Sequence, residues 1–166
     1  MKYLPHLLLA SATALTLASC ATDGGSAGGT SGSETQLGPH SAQKFVMVAH
    51  AGRTFNENDP NYARHVALVV AVEQKMVGGQ QEITARASVH KDGPNGVLLP
   101  GGIDNLRVRV TEPVAFGTEP RKTAEARITN SIPAPGGKFK TVTAEASFDS
   151  PAYSAATAKV TVPGDQ

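Results

Sequence analysis

The sequence contains no tryptophan, and Cys20 is the only cysteine among its 166 residues. A single cysteine excludes a disulfide within this chain and a metal site built from several thiolates. A free surface thiol is a liability in an oxidising compartment. Cys20 therefore requires a different explanation from pairing or metal binding.

The chain also lacks an excess of either charge. It has 15 Lys and Arg residues against 14 Asp and Glu residues, and loss of Lys2 with a leader segment would make the two numbers equal. Proteins that bind nucleic acid usually carry a basic excess. We therefore expect no nucleic-acid partner.

Familiar catalytic patterns are missing as well. The sequence has no G-x-S-x-G, H-E-x-x-H, P-loop or Gly-rich dinucleotide motif. Without a recognisable set of nucleophile, base and orienting group, we expect a non-catalytic protein with no cofactor.

A metal site is not expected either. His40, His50, His65 and His90 are far apart, and no pair has metal-ligand spacing. His90 lies on the polar side of its predicted strand, which indicates plain exposure. Residues 56–61, NENDPN, could bind calcium through two carboxylates. A turn stabilised by Asn and Asp is the favoured interpretation of that segment.

The residues before Cys20 have the character of a leader. Lys2 precedes a mostly apolar stretch from Leu4 to Leu17, which is shorter than the roughly 20 residues that span a bilayer. Its length and its small-residue end are typical of a secretory signal peptide.

The end of this leader, Leu17-Ala18-Ser19-Cys20, resembles the lipobox of bacterial lipoproteins. In that family the cysteine receives a diacylglycerol, and the peptide is cut before it. The resemblance implies that residues 1–19 are a signal peptide and that Cys20 carries the lipid that attaches the chain to a membrane. Ala21, in place of Asp, implies the outer membrane of the bacterial cell envelope.

The remaining chain divides by composition. Residues 21–36 are mainly Gly, Ser, Thr and Ala, which cannot bury enough apolar surface to fold. We therefore interpret residues 20–43 as the lipidated cysteine with a flexible linker, whose reach is about 25 Å. Residues 44–166 are long enough for one domain.

Within residues 44–166 the hydrophobic period is two, which predicts strands. Val66–Val72 is apolar on both phases, as in a central strand covered on both faces. A helix over Val66–Lys75 is the alternative, disfavoured by its β-branched residues. Turn signals separate the apolar runs, so we predict an all-β, antiparallel sandwich of about seven strands. The other predicted strands are 44–50, 83–90, 105–111, 124–129, 142–148 and 158–162.

The segment GGKFKTVTAEASFDSPAYSAATAKVTVP, residues 136–163, resembles the last hairpin of bacterial immunoglobulin-like domains. Residues 122–137, KTAEARITNSIPAPGG, resemble the strand and turn that precede it. The resemblance implies an immunoglobulin-like sandwich with a structural or adhesive role and brings no catalytic residues.

In each of two predicted strands, two charged residues lie on the same polar face. These pairs are Arg107 with Arg109, and Glu125 with Arg127. They could form a binding face. Cross-strand ion pairing and protection of sheet edges is the favoured interpretation.

Together these features predict a lipid-anchored, non-catalytic envelope protein. Its β-sandwich would bind or support another envelope or surface component, either a protein or an envelope polymer. The alternative is an accessory lipoprotein subunit of a multi-protein envelope or appendage assembly. An enzyme is less favoured.

Overall fold

The computed structural model describes residues 32, 34–52 and 65–165. The regular secondary structure of this part of the chain is almost entirely β-strand, with one short 3-10 helix at Pro135–Gly137. Predictions for the leader, for Cys20 and for residues 56–61 lie outside the described residues. No helix in the described part is long and apolar enough to cross a membrane.

Ten strands of the described residues form two antiparallel sheets. In spatial order, the first sheet contains β1 (Thr35–Gly38), β2 (Ser41–Val48), β3 (Val66–Val77), β4 (Gln80–Lys91) and β8 (Glu125–Pro133). The second contains β10 (Ala156–Val162), β9 (Val142–Phe148), β5 (Ile103–Glu112) and β6 (Phe116–Gly117), while β7 (Arg121–Thr123) also pairs with β5. The prediction of an all-β, antiparallel two-sheet fold is confirmed.

The inward phases of both sheets meet in one apolar core. Leu68 and Val70 of β3 lie in this core with Val108 of β5 and Val160 of β10, and all four side chains are buried. Because burial removes apolar surface from water, this shared core is the main force that holds the sheets together.

Strand β3 has the predicted central position, between β2 and β4. Its outward residues Ala67 and Val69 are also buried, in a small second cluster with Met47 and Phe45 on the outer face of the first sheet. The strand is therefore covered on both faces as expected, and the helix alternative for Val66–Lys75 is wrong.

The strand count exceeds the predicted seven because β1, β6 and β7 have only two to four residues each. Such segments are too short to show a hydrophobic period. Strand β1 also lies inside residues 20–43, which were predicted to be linker. The ordered sheet begins at Thr35 rather than at Lys44, because β1 pairs its backbone with β2 while its side chains stay largely exposed.

Candidate binding face on the second sheet

The outer face of the second sheet carries polar side chains in cross-strand rows. Strand register places Arg107 of β5 opposite Ser147 of β9, which lies opposite Thr157 of β10. The next row contains Arg109, Glu145 and Lys159. The face is therefore a polar surface with two neighbouring arginines on one strand.

Neither arginine is explained by the interpretation favoured from the sequence. Strand β5 lies inside the sheet, between β9 and the short strands β6 and β7, so Arg107 and Arg109 do not protect an edge. No ion pair within 4.0 Å joins either guanidinium to a carboxylate of the described residues. Glu145, which lies opposite Arg109, instead pairs with Lys159 at 3.6 Å.

Of the other predicted charged pair, only Glu125 forms the expected ion pair; Arg127 has none within 4.0 Å among the described residues and lies opposite Arg86. Glu125 of β8 lies 3.3 Å from Arg86 of β4, so it forms a cross-strand ion pair. Strand β8 is an edge of the first sheet. The sequence therefore led to the correct role for Glu125 and the wrong one for Arg107 and Arg109.

Arg107 is held in a defined orientation by its neighbour. Its Nε donates a hydrogen bond to Ser147 Oγ at 2.9 Å. The two Nη groups of the guanidinium remain at the exposed end of the side chain. A guanidinium presents its donors in a planar fork that matches a carboxylate, so this end can bind an anion with two hydrogen bonds.

A bulge in β5 lies beside the larger of two cavities on this face. Ile103 and Leu106 both face the core although two residues separate them, and the pairing of β5 with β7 shifts register at this point. Asn105 adopts a φ of 57°, a left-handed conformation that Asn tolerates better than most residues. Bulges of this kind often occur beside functional sites.

The cavity beside the bulge has a volume of about 510 Å³, in the range of known ligand pockets. Asn105 and Asp149 both line it, and Asn105 Nδ2 donates to the backbone oxygen of Asp149 at 3.1 Å. The polar side chains that line the cavity are Asn105, Arg107, Ser147, Asp149 and Thr157.

A second cavity of about 230 Å³ adjoins the first, and the two share Arg107 and Pro120. It is also lined by Arg109, Thr118 and Glu119. A Cβ on Gly117 would lie 2.8 Å from Arg109 Cγ, so only glycine leaves space for this arginine beside β6. The two cavities form one groove, which we call the arginine groove.

The predicted histidine positions do not converge on a metal site. Within the described residues, no group of three or more His, Cys, Asp or Glu side chains could hold a metal ion. His40 stacks on Phe139 with ring centroids 3.9 Å apart, and His50 lies near Tyr153. His65 is buried.

His90 is only half-exposed, so the expectation of plain exposure is wrong. Its Nε2 is 2.8 Å from Ser88 Oγ, and its Nδ1 is 2.8 Å from the backbone oxygen of Gly96. Through its contact with Gly96, the ring stabilises the loop that follows β4.

Sequence reasoning identified Arg107 and Arg109 but missed the rest of the arginine groove. Ser147 and Thr157 belong to it only through strand register, and Asn105 and Asp149 only through the bulge. No family model, curated protein or solved structure matches this chain.

Proposed function

We propose that this protein is a lipid-anchored, non-catalytic module of the bacterial cell envelope that recognises another envelope component through the outer face of its second sheet. One observation carries the proposal. Arg107 and Arg109 are exposed side by side on an interior strand, next to a cavity, and neither is ion-paired within the described part of the chain.

Fold stability does not account for this arrangement. Like charges on neighbouring positions of one sheet face repel each other, and an exposed arginine without a partner contributes little to stability. Exposed arginines are, in contrast, common anchors at protein interfaces because they combine charge with several hydrogen-bond donors. The pair therefore fits recognition better than folding.

Strand order supports an immunoglobulin-like form of the sandwich. Strands β3, β4 and β8 occupy the places of strands A, B and E in one sheet of that fold. Strands β10, β9, β5 and β6 occupy those of G, F, C and C′ in the other. Such sandwiches commonly act in adhesion and assembly, but fold alone does not assign a partner.

The anchor half of the proposal rests on the lipobox-like segment Leu17-Ala18-Ser19-Cys20. Two or three acyl chains on Cys20 would hold the domain at the membrane, which we place at the outer membrane because Ala21 follows the cysteine. In metabolic labelling with a fatty-acid analogue, Cys20→Ser should lose the label. Label retained on that variant would refute the anchor.

The segment between anchor and sheet should act as a tether. Residue 32 is already fixed, since the Gly32 N–H donates to the Phe45 oxygen at 3.0 Å. Replacement of residues 21–31 by an unrelated Gly/Ser sequence of equal length should therefore preserve partner binding. Loss of binding with normal localisation and folding would show that this segment is itself the recognition element.

Photo-cross-linking in intact cells tests whether the outer face of the second sheet contacts the partner. A photoreactive residue at Thr157, on the outer face of the second sheet, should give a specific adduct with another envelope component. The matched control is Thr129, which is also exposed, on the outer face of the first sheet. Adducts from Thr129 and none from Thr157 would overturn the proposed face.

A further inference from the structure

We propose that the arginine groove binds an extended peptide segment that presents one basic and then two acidic side chains at alternate positions. This proposal rests on the proposed function and specifies the partner: a protein segment of that charge pattern, bound along β5.

The spacing of Arg107 and Arg109 matches the spacing of side chains on one face of an extended peptide. Arg107 and Arg109 are two residues apart on one strand, so their side chains leave the same face about 6.6–7 Å apart. An extended peptide repeats its own side chains on one face at the same interval. Two carboxylates at alternate positions can therefore reach both guanidinium groups without bending the peptide.

The order of charges along the groove indicates the charge pattern of the peptide. Asp149 lies two residues beyond Ser147, the partner of Arg107, and it lines the same cavity. No ion pair of the described residues includes its carboxylate. Along β5 the groove therefore presents a negative group, then Arg107, then Arg109, and the complementary partner is positive, negative and negative.

The acidic groups of this face argue against a uniformly anionic polymer. Asp149 and Glu119 line the two cavities, and Glu145 lies beside Arg109 with its charge engaged by Lys159. A polymer with a negative charge at every step would meet Asp149 and Glu119 as well as the arginines. Such like-charge contacts provide specificity by rejecting the wrong partner.

The shape of the groove favours a peptide over a compact small molecule. The two cavities share Arg107 and Pro120, and together they are lined by three successive outward positions of β5, Asn105, Arg107 and Arg109. The hydrogen bond from Arg107 to Ser147 fixes the first guanidinium before a ligand arrives. This preorganisation lowers the entropy cost of binding.

The test uses the full chain and blocked synthetic peptides in an NMR titration. The probe peptide is Lys-Ser-Asp-Ser-Asp, acetylated and amidated, and its control is the rearranged peptide Asp-Ser-Lys-Ser-Asp. We expect shifts confined to β5 and β9 and an affinity for the probe at least tenfold above that for the control.

Single substitutions test which residues of the groove bind the probe peptide. Arg107→Gln and Arg109→Gln should each weaken probe binding about tenfold, whereas Arg127→Gln, an exposed arginine on the first sheet, should leave it unchanged. Asp149→Asn should weaken binding of the probe but not of a peptide with Ser in place of Lys. Glu119→Gln should strengthen binding of the probe and of the peptide with Ser in place of Lys.

Peptide binding and the Thr157 cross-link together distinguish failure of the peptide pattern from failure of the proposed function. Equal affinity for probe and rearranged peptide, tighter binding of polyglutamate, or no binding at millimolar peptide would overturn the peptide pattern. If the Thr157 cross-link persisted in that case, the proposed face would stand with a partner of different chemistry. Loss of the cross-link at Thr157 would instead overturn the proposed function itself.

Discussion

The side-chain amide of Gln81 bonds both backbone groups of Lys140. Gln81 Nε2 donates to the Lys140 oxygen at 2.9 Å, and the Lys140 N–H donates to Gln81 Oε1 at 2.8 Å. The amide thus takes the place of a strand neighbour and joins β4 of the first sheet to the segment that enters β9 of the second. Gln81 is fully buried.

Gln81→Leu should therefore destabilise the domain although it adds apolar surface. It removes the partners of the Lys140 N–H and oxygen, and it leaves the buried Gln74 Oε1 without the donor that Gln81 Nε2 supplies. An unsatisfied buried group costs about 1–3 kcal/mol, and a lost hydrogen bond at the more exposed Lys140 costs about 1 kcal/mol. We expect a loss of about 2–4 kcal/mol in the free energy of unfolding, measured by denaturant titration. Gln80→Leu, at the exposed neighbouring position, is the control and should change stability by less than about 0.5 kcal/mol.

Val108→Asp should be among the most damaging substitutions. Val108 is fully buried between the two sheets, and an unpaired carboxylate there would cost several kcal/mol of a total stability of roughly 5–15 kcal/mol. Circular dichroism should show loss of the folded strand signal. Arg109→Ala, next to it on the exposed face, should retain the fold, and equal loss in both variants would contradict the assigned faces.

Three of the five positions of β8 that face away from the sheet offer no free donor to an added strand. The Glu125 N–H donates to Thr123 Oγ1 at 3.2 Å, and the Ser131 N–H donates to Asn130 Oδ1 at 2.9 Å. Pro133 has no N–H. By the register with β4, these three positions point away from the sheet, where another strand would pair. Unpaired edges invite association, so we expect these contacts to oppose pairing of this edge with a second chain.

Opening this edge should therefore cause self-association. The triple variant Thr123→Val, Asn130→Val, Pro133→Ala frees three backbone donors and adds apolar, β-forming side chains. Sedimentation velocity should show a concentration-dependent dimer or larger species. A matched variant at a half-buried position on the outer face of an interior strand, Thr84→Val, should sediment as the parent chain does.

The fold was largely predictable because its strands are amphipathic. Val142–Phe148 has the same bounds in sequence and structure, since its alternating residues face core and solvent in turn. Strand β5 was harder to delimit because the bulge at Asn105 interrupts the alternation after Ile103. Strand β1 has no apolar period and forms through backbone pairing with β2, which composition does not encode.

The candidate site was only partly predictable for a related reason. Alternation placed Arg107 and Arg109 on one exposed face, but it could not show that β5 is interior to its sheet. That position depends on the pairing of β5 with β9, 40 residues away between Arg107 and Ser147. Strand order therefore decides whether two exposed arginines protect an edge or form a binding face.

The central claim is that the exposed arginines of β5 are the recognition element of an anchored domain. The most direct measurement is the yield of the Thr157 photo-cross-link in intact cells for the parent chain, for Arg107→Gln/Arg109→Gln and for Arg127→Gln, at matched expression and thermal stability. We predict that the double variant loses the adduct and that Arg127→Gln retains it. Equal yields in the parent chain and the double variant would contradict the account.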